Sequence, residues 1–274
     1  MRLKIILSLF LGCCFIVTNA QTNNEKAEPL SIGEKSIVKS NILNEERLLN
    51  IYLPQNFSKE KNLPVIYLLD GSMNEDFIHI AGLVQFFNLM FNMPDFIVVG
   101  IANVDRKRDF TFHTDLKDLK EKYPTTGGSA KFIEFIEKEL QPFVEAHYSD
   151  NKTKYLIGQS LGGLLATEVL LKKPDLFSHY FIISPSLWWD NESLLIQATH
   201  LLEQQNDTER YVYISVGSEG KIMEREAEGI AKKLKNSDKK KLKVDFLPLP
   251  KENHATILHQ SIYEALKIQF PYKE

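Results

Sequence analysis

Cysteine is all but missing from this chain of 274 residues: there are two, Cys13 and Cys14, side by side in an N-terminal apolar run. The rest of the chain has no thiol, which excludes a disulfide framework, thiol catalysis and cysteine metal sites there. A strong charge of either sign is also lacking, since 33 Lys and Arg stand against 36 Asp and Glu for a net charge of −3. That balance gives no basic field, so no nucleic-acid partner is expected. A late cluster, "KKLKNSDKKKLK", reads as a solvated helix end and turn. After the N-terminal run no stretch approaches the roughly 20 apolar residues that a bilayer span needs, so no integral membrane span is expected. Repeats, low-complexity tracts and Pro/Gly-rich linkers are absent, which favours one folded domain, and no feature specifies an oligomeric state.

What is present begins with a leader. "MRLK", "IILSLFLGCCFIV" and "TNA" follow the charged, apolar and small-residue order of a secretory signal, so residues 1–20 are expected to direct export, to the periplasm or beyond. "FLGCC" also allows lipid attachment at Cys13, although its Phe and the short apolar stretch before the cysteine suit that less well. Residues 21–33 read as a polar leader and 34–274 as the folded domain.

Seven short apolar runs follow: "RLLNIYLP", "VIYLLDG", "DFIVVGIAN", "KYLIGQS", "HYFIISPS", "YVYISVGS" and "KVDFLPLP". The central ones are nearly continuous in apolar character, as strands covered on both faces are. Between them lie segments of helical period. In "SAKFIEFIEKELQPFVEAHY", Phe132, Phe135, Ile136, Leu140 and Phe143 fall on one stripe, and "LGGLLATEVLLKK" stops before Pro174. This alternation predicts an α/β fold, a mostly parallel sheet with helices on both faces, whose ligands bind beyond the carboxyl ends of the strands.

At that edge stands "YLIGQSLGGL". Ser160 has Gly158 two residues before it and Gly162 two after, with a strand leading in and a helix leading out. A sharp turn of this kind needs small neighbours to bring a serine hydroxyl into the open, and it aims the Leu161 N–H and the helix N-terminus at an oxyanion. The plain alternative is a glycine-rich turn that packs a helix closely on its strand. A serine nucleophile needs a base. Of seven histidines, His254 in "PLPKENHATIL" follows the last strand and so reaches the same edge, while His113 is the rival on a loop. His79, His147, His200 and His259 read as helix positions and His179 as a strand entry. The acid that orients the imidazole falls between serine and histidine in chain order. Glu219 in "VGSEGK" is the first candidate, with Asp190, Glu224 and Glu226 as alternatives. A second oxyanion donor is expected near Gly71 and Ser72 in "YLLDGSMNEDF", with Asp70 shaping the turn. No metal or organic cofactor is called for, because carboxylates and histidines do not fall at ligand spacing.

The order and spacing of "YLLDG", "RKRDFT", "GGSAKFIEFIEKELQPFVEAHY", "IGQSLGGLLA", "ISPSLWW", "VGSEG" and the late "NH" resemble the esterase D family of α/β-hydrolases through nearly the whole chain after residue 20. The resemblance implies the α/β-hydrolase fold and a serine hydrolase acting on a small-molecule carboxylic ester, with Ser160 and His254 on matching motifs. Glu219 matches less firmly, because members differ at the acid and some siderophore esterases manage with a serine and a histidine alone, which would leave the third role empty. "SPSLWW" and "RKRDFT" look most like the siderophore-esterase branch. There Trp188 and Trp189 would give flat walls for aromatic groups, and Arg106 and Arg108 would face an anionic ligand; the plain alternatives are a tryptophan pair that closes the core beside the site and an internally paired "RKRD" surface loop. Carbohydrate acyl esters are the alternative substrate class, and a non-catalytic ligand-binding module is the alternative of another kind.

Overall fold

A computed structural model describes residues 29–272, and in it the apolar runs are strands of one eight-stranded sheet. The expected signal segment, Cys13 and most of the expected polar leader lie outside the described residues. The strands are β1 (Gly33–Ser40), β2 (Glu45–Tyr52), β3 (Val65–Leu68), β4 (Ile97–Ile101), β5 (Lys154–Gln159), β6 (His179–Ile183), β7 (Arg210–Gly217) and β8 (Leu242–Leu249). They lie in the order β1-β2-β4-β3-β5-β6-β7-β8. β1 pairs with β2, and β2 with β4, antiparallel; the remaining ladders are parallel.

The near-continuous apolar character of the inner strands has a direct cause, since successive side chains point to opposite faces and both faces are covered. On β3, Val65 and Tyr67 join one apolar layer while Ile66 and Leu68 join the other, and all four are buried. β5 divides in the same way, with Leu156 on one side and Tyr155 and Ile157 on the other. Each such side chain taken fully from water contributes about 1.5–3 kcal/mol before ordering costs. β1 has no counterpart among the seven apolar runs and begins at Gly33. It is a margin strand of largely exposed residues, so only Val38 and Ser40 are buried and no apolar pattern marks it. β8 forms the other margin and carries Pro248.

The helices are α1 (Phe77–Met90), α2 (Arg106–Phe110), α3 (Lys117–Lys122), α4 (Ser129–Phe135), α5 (Gln141–His147), α6 (Leu161–Lys172), α7 (Trp189–Glu203), α8 (Lys221–Lys235) and α9 (Ile257–Gln269). α1 and α9 cover one face of the sheet, and α4 to α8 pack in the layer on the other. The stripe read from Phe132 to Phe143 runs through α4 and α5, joined by a widened π-helical turn at Ile136–Leu140. Pro142 follows after Gln141; it lacks an N–H and crowds the preceding turn, which suits the wider winding. Residues from Ile32 onward form one compact unit. This is the α/β-hydrolase fold. Among the described residues no helix is long and apolar enough to cross a membrane.

Candidate active site

Ser160 sits between β5 and α6 with φ 60° and ψ −119°, outside the regions an ordinary L-residue favours. The glycines around it make that turn feasible: a Cβ on Gly158 would lie 2.3 Å from the carbonyl oxygen of Gly162, and one on Gly163 would lie 2.9 Å from that of Ile183. Hydrogen bonds then fix the backbone. The Ser160 N–H donates to Ile183 at 3.0 Å, and its carbonyl accepts from Leu164 at 2.9 Å and Ser186 at 3.0 Å. The Ser186 hydroxyl lies 3.4 Å from that of Ser160.

His254 lies in the turn before α9, and its Nε2 is 3.0 Å from Ser160 Oγ. Its Nδ1 is 2.5 Å from Glu219 Oε2, from the loop that leaves β7. A carboxylate only accepts, so Nδ1 carries the proton and Nε2 of the neutral ring is left to accept from the serine. Glu219 Oε1 in turn accepts from the Ser184 hydroxyl at 2.5 Å and the Gly217 N–H at 2.9 Å. Burial pushes the Glu219 carboxyl up, but the hydrogen bonds from His254, Ser184 and Gly217 outweigh it and hold the group below its ordinary range. The side chain of Glu219 is 2% exposed and that of His254 48%, so the acid is enclosed while the imidazole meets solvent.

Neighbouring loops are tied to this line. The Gln159 amide donates to the His254 carbonyl at 2.5 Å. Ser218 donates its N–H to Glu252 at 2.8 Å and its hydroxyl to Pro250 at 2.9 Å, which joins the acid loop to the histidine loop.

The alternative acids are placed elsewhere. Asp190 accepts from Thr114 Oγ1 at 2.7 Å, Glu224 accepts the N–H groups of Glu219 and Gly220 at the start of α8, and Glu226 is buried beside Arg225. His113 is exposed and lies 3.2 Å from Asp115.

The oxyanion side needs one correction. The Gly71 N–H is not free, because it donates to the Ile101 carbonyl at 3.0 Å. The Ser72 N–H meets only Glu75 Oε2 at 3.4 Å, while no acceptor among the described residues takes the Leu161 N–H. Asp70 shapes the turn with φ 54°.

Arg106, Arg108 and Trp189 follow the plain alternatives, a paired loop and a core residue, and not the ligand-facing reading. Arg106 grips Asp70 with two bonds of 2.6 and 2.9 Å and reaches the Gln159 carbonyl at 3.3 Å. Arg108 pairs with Asp109 and Glu45, in a cluster with buried Arg47. Both guanidinium groups thus have carboxylate partners within the chain, and neither is an unpaired anion receptor. Trp189 is fully buried and donates its indole N–H to Phe112 at 3.0 Å, so it supports the core and offers no wall to a ligand. Trp188 is half-buried against Tyr123 and Trp189.

Sequence reasoning missed Ser184, Ser186 and Gln159. The "SPS" at the carboxyl end of β6 is the signal that could have found the first two, since that edge is where the site forms.

The Esterase family model, described as "Putative esterase", matches residues 40–255. The chain belongs to this esterase family. The ferri-bacillibactin esterase BesA of Bacillus subtilis (strain 168) is 28% identical over 282 residues, spanning 91% of this chain and 94% of that protein. Among solved structures, an IroE-like serine hydrolase from Shewanella oneidensis superposes with a TM-score of 0.79 at 30% identity, covering 86% of this chain and 79% of that one. The BES protein from Bacillus cereus gives 0.78 at 30% identity, covering 90% and 97%. This esterase therefore falls in the siderophore-esterase-like branch, and its expected substrate is a small-molecule ester.

Proposed function

We propose that this esterase is an exported serine hydrolase that opens ester bonds of ferric catecholate siderophores through an acyl-enzyme intermediate. The observation that carries the mechanism is the continuous line from Ser160 Oγ through the His254 imidazole to the enclosed Glu219 carboxylate. His254 Nε2 takes the hydroxyl proton as Ser160 Oγ bonds to the ester carbonyl carbon. The tetrahedral oxyanion is held by the N–H groups of Leu161 and Ser72, and the imidazolium by Glu219. The carbon–oxygen bond to the alcohol breaks as His254 returns the proton to it. Water then gives a proton to His254 and attacks the acyl carbon; His254 passes that proton to Ser160 Oγ as the acyl carbon–oxygen bond breaks and the acid leaves. The siderophore class rests on the branch to which the chain belongs, with Trp188 as the half-buried aromatic surface beside the β6 loop. Export rests on the signal-like order of residues 1–20.

The test is hydrolysis of p-nitrophenyl acetate and butyrate by the wild type and Ser160→Ala, with fluorophosphonate labelling of both. Turnover and labelling in the wild type, and a loss of at least about a thousand-fold in a variant that melts like the wild type, are expected. A variant that keeps most of its turnover removes Ser160 from the mechanism. Ferric catecholate esters are then compared with acylated sugars, and preference for the sugars overturns the substrate class alone.

A further inference from the structure

The loop that leaves β6, Ser184–Pro185–Ser186, holds a conformation that its sequence resists. Ser184 has φ 43°, in the left-handed region, and it precedes a proline, whose ring confines the preceding residue to extended backbone. Glycine would take this position without steric penalty, yet a serine stands there. Its backbone N–H donates to Ser215 of β7 at 2.8 Å, and its side chain is fully buried. The one task visible for that hydroxyl is its 2.5 Å bond to Glu219 Oε1. Strain retained at a contact to a reacting group is a reason to look for a role.

The role follows from the freedom of a carboxylate. The last torsion of a glutamate side chain is broad and roughly two-fold, so its own covalent geometry does not choose which oxygen faces a partner. Here Oε1 accepts from Ser184 and from the Gly217 N–H, which leaves Oε2 for His254 Nδ1. The Gly217 bond comes from the end of β7, two residues before Glu219, whereas Ser184 directly follows the neighbouring strand β6 and is held there by its N–H bond to Ser215 of β7.

We propose that Ser184 is a positioning residue, whose hydroxyl fixes the rotation of the Glu219 carboxylate so that Oε2 stays in line with His254. This rests on the roles proposed above for Ser160, His254 and Glu219. The test measures kcat, KM and melting temperature for Ser184→Gly, Ser184→Ala, Glu219→Gln and the Ser184→Gly/Glu219→Gln double variant on p-nitrophenyl butyrate. Glycine relieves the backbone and alanine keeps its strain, so an effect common to both belongs to the hydroxyl. Both are expected to lower kcat about ten-fold with KM nearly unchanged, the scale of one hydrogen bond to a charged group. Ser184→Gly is expected to melt no lower than the wild type. In the Glu219→Gln background it is expected to add no further loss, because the group it positions is already neutral. Full turnover in Ser184→Gly beside an impaired Glu219→Gln overturns the positioning role and leaves the acid in place. A ten-fold loss that persists in the double variant overturns it too. Wild-type turnover in Glu219→Gln overturns both the positioning role and the proposed acid.

Discussion

Ser160 leaves β5, an inner strand flanked by β3 and β6, whereas His254 follows β8, a margin of the sheet, and its side chain is 48% exposed. The two halves of the site are held by different means. On the serine side backbone lies directly on backbone: Gly163 has no room for a Cβ under Ile183 and Pro185, and Ser160 and Ser184 keep positive φ. On the histidine side separate ties do the holding, among them the Gln159 amide and the Ser218 bonds to Glu252 and Pro250. A residue held at an unfavourable φ persists only where its surroundings over-determine it, which a buried inner strand does. In the role proposed for it, His254 must meet solvent to pass protons to an alcohol and from water, which the margin allows. There its position depends on tethers.

Substitution on each side would sharpen this contrast. Gly163→Ala attacks the crowded side, where the added carbon would lie 2.9 Å from the Ile183 carbonyl oxygen and 3.0 Å from Pro185 Cα. A loss of about 2 kcal/mol is expected, seen in calorimetry as a melting temperature lower by roughly 6 °C. Gln159→Ala attacks a tether and is expected to do the reverse. Turnover should fall about five-fold for the loss of one hydrogen bond, with melting within about 2 °C of the wild type. If Gln159→Ala melts as low as Gly163→Ala and turns over normally, the tether serves stability and the contrast fails.

The smallest effect concerns Glu226, which is fully buried on α8, beside Arg225 and the Trp188 backbone just after the β6 loop. Burial and then Glu192 push its carboxyl up to about 7. The folded protein therefore binds this proton more tightly than the unfolded chain. The associated stability is fully present below the ordinary glutamate value and is lost as pH rises through 7. Glu226→Gln carries no such loss, so it should melt higher than the wild type by roughly 3 °C at pH 8 and about the same at pH 5. An equal shift at both pH values would show that packing, and not ionisation, distinguishes the two side chains.

The parts of the fold legible in the sequence are those where burial repeats. Strands β2 to β8 announce themselves because helices cover both faces of the inner ones, and "GQSLGG" stands out because a sharp turn leaves few residue choices. His254 and Glu219 could be placed by strand-end logic, and the structure brings His254 to Ser160 and Glu219 to His254. β1 was invisible because a margin strand with exposed lysines has no apolar period. That the Gly71 N–H is taken by Ile101 is a fact of the sheet order and not of the local sequence. For Arg106, Arg108 and Trp189 the local sequence leaves a ligand-facing and a paired or buried role equally open, because partners such as Asp70, Glu45 and Phe112 come from other parts of the chain. Ser184 is silent in the sequence for the same reason: only its positive φ and its contact with Glu219 set it apart.

The two margins of the sheet also govern what the molecule does in company. An open strand edge is a template on which another chain can add, and charges or prolines are the usual defence. β1 presents Glu34, Lys35 and Lys39 at exposed positions, and β8 ends with Pro248 and then Pro250, which offer no N–H to an incoming strand. The edge beside His254 is thereby poorly suited to β-addition. Its openness can serve an ester and water without inviting a second polypeptide to knit itself into the sheet.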